Sequence, residues 1–193
     1  MKSTSLRLWH WLNALAIFGL LATVLLRKTF LSWRTNSLVI QDKIKAAGGQ
    51  IDPELANSIA RTLRDTMWEW HYIFGFSLTA LFAFRIFLLA RDRGTRPQLA
   101  GLDLHHKMVQ FGYIGFYVMT LLMMGSGLSM YFKEFLGLAK GTVDFVKEYH
   151  ETAMWFFAVF AGAHILGVVV AENRDEPGIV SRMINGGGGS PKA

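Results

Sequence analysis

The sequence predicts an all-α fold: an integral membrane four-helix bundle with a surface helix in the long connection between spans 1 and 2. Three observations predict it. Hydrophobic residues make up 52% of the 193 residues and charged residues only 18%, where soluble domains carry roughly 25%. The apolar residues gather into four runs, each close to the about 20 residues that cross a bilayer. Six histidines are present, and four of them lie in or at the ends of those runs, where an ionisable side chain is costly unless it is paired or ligating.

The runs cover 6–26, 70–90, 108–132 and 150–171. Arg85 is the clearest charge inside one. Trp9, Trp11, Trp33, Trp68 and Trp70 fall at span ends, where amphipathic rings favour the lipid–water interface. Four crossings put both termini on one face of the membrane, side A, opposite side B. Residues 91–107 form a short basic side-A loop, and 133–149 a short side-B loop with Gly137 and Gly141. By the positive-inside rule the compact basic loop places side A, and both termini, in the cytoplasm. No cleavable signal peptide is expected, because the first run is longer than a signal core and lacks a small-residue cleavage site.

The side-B connection, 27–69, is long. Within it Asp52-Pro53-Glu54 reads as an N-cap, a proline at the first helical position and an acidic first turn. Leu55, Ile59, Leu63 and Met67 follow at helical spacing, which predicts an amphipathic helix on the membrane surface or over the bundle. Its role is a lid or a docking surface. The end of the chain, 186–193, has the composition of a flexible linker, which leaves 1–185 as one domain.

Composition also excludes. The sequence has no cysteine, so disulfides, iron–sulfur ligation, thiolate-ligated haem and C-x-x-C-H haem attachment are ruled out. The formal charge is +6, but the lysines and arginines flank the apolar runs and form no stripe. That is a membrane-proximal pattern, not a nucleic-acid one. No nucleotide loop or Ser–His–Asp order is present.

The histidines carry the chemistry. His10 opens the first span on side A, and His71 opens the second on side B. His150 opens the fourth on side B, and His164 lies fourteen residues further toward side A. On a helix that spacing rises about 21 Å and returns to within roughly 40° of its starting direction. One helix therefore presents two imidazoles on one face at two depths. His10 is matched in depth to His164, and His71 to His150. Two haem b groups, each with two axial imidazoles from facing helices, need this layout; zinc needs three or four ligands at one point. His105 and His106 open the third span on side A. Either can replace His10 or His164 as a ligand, or serve a haem propionate or a quinone headgroup. Arg7 and Arg85 are candidate propionate partners, since guanidinium matches carboxylate. Gly75, Gly112, Gly115, Gly125, Gly127, Gly162 and Gly167 lie near these histidines or along the third span, fitting either close approach of a flat macrocycle or helix–helix packing.

Arg7-Leu8-Trp9-His10-Trp11, His71, the pair His150 and His164, and Gly178-Ile179-Val180-Ser181-Arg182-Met183-Ile184 resemble the bacterial cytochrome b561 family. Within it the sequence is similar to the cytochrome b subunits of membrane nickel–iron hydrogenases, over about 5–185 apart from the connection 27–69. The resemblance implies a four-helix, di-haem b protein of the cytoplasmic membrane, with His10, His71, His150 and His164 as axial ligands to haem iron. It also implies electron exchange between a quinone pool and a redox partner subunit, as in a respiratory chain. The enlarged side-B connection departs from the pattern and bears on how a hydrogenase-type partner would dock. Two alternatives stand beside this expectation: a self-sufficient superoxide or quinol oxidoreductase, and a histidine-based metal or proton transporter.

Overall fold

The computed structural model describes residues 3–91, 104–174 and 176–186, with side chains from 107 onward in the third span. The side chains of His105 and His106, most of the basic loop and the tail 187–193 therefore lie outside the described residues. Among the described residues six helices follow one another: α1 (Thr4–Lys28), α2 (Trp33–Ala46), α3 (Pro53–Arg91), α4 (Leu104–Tyr131), α5 (Lys140–Asn173) and α6 (Ile179–Asn185). No strand occurs among the described residues. Among the described residues four helices are long and apolar enough to cross a membrane, namely α1, α3, α4 and α5. The expected all-α membrane class is what the structure has. Large apolar side chains such as Val159, 69% exposed, stand on the outside of these helices, as a lipid solvent permits and water does not.

The connection between the first two spans differs in detail from the expectation. The helix forecast at Asp52-Pro53-Glu54 does begin there, and Asp52 caps the Leu55 amide at 3.3 Å. It does not stop before the second span. It runs for 39 residues as α3, because after Pro53 there is no proline and no glycine before Gly75. At about 1.5 Å per residue the helix is about 58 Å long, nearly twice a hydrocarbon core. The stripe of Leu55, Ile59 and Leu63 is exposed, while Ala56, Ala60 and Met67 are buried. The connection also holds α2, which hydropathy does not reveal. Its 14 residues mix Arg, Asn, Gln, Asp and Lys with its apolar residues. It ends in a Schellman turn, with Gly49 N on Ile44 O at 2.9 Å and Gly48 N on Lys45 O at 3.0 Å. Gly48 sits at φ +80°, which a side chain would disfavour.

The chain divides into two compact units, Ala14–Leu78 and Met1–Asn13 with Thr79–Ala193. In the first, the ring of Phe74 on α3 lies where a Cβ at Gly19 of α1 would stand, 2.7 Å away. Trp33 of α2 lies under two guanidiniums, those of Arg34 at 4.9 Å and Arg61 at 4.5 Å. In the second, α4 packs on α5 and α6 on α5. The α4–α5 seam is aromatic. Phe116 of α4 stacks on Phe160 of α5 at 4.8 Å and meets Phe157 edge-on at 5.9 Å. Thr120, fully buried one turn on, donates its hydroxyl proton to Phe116 O at 2.7 Å.

Candidate functional site

In the start of α1, Arg7, Trp9, His10 and Trp11 each meet a different partner. At about 100° per residue, Arg7 and Trp11 share one helix face and Trp9 points elsewhere. Arg7 Nη1 donates to Ile184 O at 2.9 Å, and Trp11 Nε1 donates to Met183 O at 3.2 Å. Both acceptors are last-turn carbonyls of α6, which an isolated helix leaves without partners. The closing motif 178–184 is thus seated on the helix start that carries His10. Its own geometry is set by Glu172 at the end of α5, whose carboxylate accepts from Gly178 N at 2.9 Å and Val180 N at 3.0 Å. Arg182 ties the turn from the other side, donating to Pro177 O at 2.9 Å.

Trp9 is buried and donates through Nε1 to Leu81 O on α3 at 2.8 Å. The interface role expected for this ring is replaced by a packing one. Arg85, one turn beyond Leu81 and only 6% exposed, lies 5.4 Å from the Trp9 ring and 5.8 Å from the Tyr117 ring. Its Nε donates to Tyr117 Oη at 2.8 Å. Two aromatic faces and a phenol therefore hold a buried cation beside the residue that precedes His10.

His10 faces His164 of α5. Their ring centres are 6.0 Å apart with planes inclined by 60°. Two imidazoles ligating opposite sides of one iron at about 2 Å each would have ring centres about 6 Å apart, and rotation about the shared axis leaves ligation intact. The pair fits a bis-histidine haem. Phe160, one turn before His164, lies parallel to its ring at 6.1 Å and 1°. Among the described residues no three His, Asp or Glu side chains converge on one point.

The other two histidines fall in different units. His71 on α3 has Nδ1 at 2.8 Å from Thr23 Oγ1 and meets Trp68 edge-on at 5.6 Å. His150 on α5 has Nδ1 at 2.8 Å from Ser126 Oγ on α4. A Cβ at Gly127 would stand 3.3 Å from His150 Cε1, so glycine there lets the imidazole reach α4. Among the described residues an added Cβ at Gly75, Gly112, Gly115, Gly125, Gly162 or Gly167 meets no atom within 4 Å. Helix α5 is unbroken from Lys140 to Asn173, so the register between His150 and His164 is that of one helix.

Sequence reasoning missed Thr23, Ser126, Tyr117 and Glu172. Polar residues on apolar helices were the available signal, but no spacing rule links them to partners on other helices.

The model of the prokaryotic cytochrome b561 family matches residues 3–186. No curated protein and no solved structure matches the chain significantly. With this match over residues 3–186 and four apolar helices, the chain belongs to the prokaryotic cytochrome b561 family, multi-pass bacterial membrane proteins that bind haem b and transfer electrons.

Proposed function

We propose that this chain carries electrons across the membrane between a quinone pool and a partner redox protein. It would do so with two haem b groups, one held by His10 and His164 and the other by His71 and His150. The 6.0 Å approach of the His10 and His164 rings carries the reading. The second pair is supported by the matched sequence depths and by the hydroxyl on Nδ1 of each histidine.

Bound haem supplies reversible one-electron chemistry at its iron. The chain's residues hold, orient and shield. His10 is carried by a helix start held to α6 through Arg7 and Trp11 and to α3 through Trp9. Phe116, Phe157 and Phe160 line the α4–α5 seam between the levels of His150 and His164 and keep water from it. Arg85 is assigned a haem propionate, because a buried guanidinium matches a carboxylate bidentately. Arg7 is assigned to α6, where its Nη1 already has a carbonyl. His105 and His106 are assigned a quinone headgroup or a second propionate, and both termini the cytoplasm.

Proteoliposomes containing the purified chain, with ferricyanide inside and a quinol outside, test the transfer. Internal ferricyanide should be reduced in liposomes with the chain and not in empty ones. A chain whose b-type absorption the quinol reduces while internal ferricyanide stays oxidised would count against transmembrane transfer. One whose absorption does not respond to quinol would count against the quinone.

A further inference from the structure

His71 and His150 sit on different helices in different units, yet each meets the same local chemistry. Thr23 Oγ1 lies 2.6 Å from Leu20 O and 2.8 Å from His71 Nδ1. Ser126 Oγ lies 3.0 Å from Met123 O and 2.8 Å from His150 Nδ1. In both, the hydroxyl reaches back to the carbonyl three residues earlier on its own helix. A carbonyl has no proton to give, so the single hydroxyl proton goes to it. The contact with the ring then needs its proton from the imidazole. Nδ1 therefore carries the proton, and the lone pair is on Nε2.

We propose that Thr23 and Ser126 are positioning residues that hold His71 and His150 as Nδ1–H tautomers, with Nε2 as the iron-ligating nitrogen, and that lower the potential of that haem. The inference rests on the haem reading of these two histidines. A hydrogen bond donated by the far ring nitrogen fixes ring orientation and makes the imidazole a more basic ligand. A stronger donor stabilises ferric over ferrous iron, which lowers the potential. Two hydroxyls acting on the two ligands of one iron would add. Among the described residues neither His10 nor His164 has a hydrogen bond at a ring nitrogen. The effect is therefore confined to one haem, and the other is an internal control.

The test is an optical redox titration of the purified full chain carrying Thr23→Val or Ser126→Ala, with Thr23→Ser and Ser126→Thr as conservative rescues. With haem content unchanged, one midpoint should rise and the other stay. The double variant should rise further, and both rescues should return to the wild-type value. A helix merely loosened by the substitution would lose haem without this selective shift and rescue. If Ser126→Ala does not retain haem, Thr23→Val alone decides. Titrations that match the wild type, while His71→Ala and His150→Ala each lose the same single haem, would overturn the inference and leave the haem reading standing. Retention of both haems in those two alanine variants would overturn the haem reading itself.

Discussion

Arg85 is a permanent charge on an apolar helix, and the side chains around it decide its effect. The Trp9 and Tyr117 rings supply electron-rich faces, and the Tyr117 hydroxyl accepts from Nε. A fixed cation near a haem favours the reduced, less positive iron. Removing it should have the opposite sign to removing Thr23 or Ser126. Arg85→Gln is therefore expected to lower the midpoint potential of the haem proposed at His10 and His164 and to leave the other in place, read by the same titration. An unchanged pair of midpoints would detach Arg85 from the haem and leave it a packing residue. The sequence singles out Arg85 because charge within a span is rare. It gives no hint of the aromatic cage, whose members lie 76 and 32 residues away along the chain.

At the scale of elements, the short α6 has the least autonomy and the clearest dependence on its neighbours. Seven residues cannot hold a helix alone, and α6 is held by Glu172 before it and by Arg7 and Trp11 at its end. Glu172→Ala should raise the amide exchange rate across 178–186 and also across 4–11, with α4 unaffected, as hydrogen–deuterium exchange would report. Faster exchange in 178–186 alone would show that α6 does not steady the helix start bearing His10. The boundaries of the long helices were legible where the chain announces them, as at Asp52-Pro53-Glu54. The continuity of α3 was legible too, in the lack of a breaker before Gly75, but the change from mixed to apolar composition near Trp70 suggested two elements. The buried face of its first half was not legible. Ala56 and Ala60 lie inside and Leu55, Ile59 and Leu63 outside, because close helix approach selects small residues over large apolar ones.

For the whole molecule, hydropathy was sufficient to give four spans, since lipid demands long uninterrupted apolar helices and few other patterns mimic them. The proposed ligand pairing was readable only as depth, because a helix converts sequence separation into height but not into a neighbour. The ring centres of His10 and His164 are brought to 6.0 Å, and the hydroxyls that lie 2.8 Å from His71 and His150 had no sequence signature. One chain is proposed to hold two b haems on these four histidines. Haem per chain, measured as pyridine haemochrome on purified protein, tests it most directly in the wild type, His10→Ala, His164→Ala and the double variant. Two haems are expected in the wild type and one in all three variants, with the same spectral component lost each time. Two haems retained in His164→Ala, or different components lost from the two single variants, would contradict it.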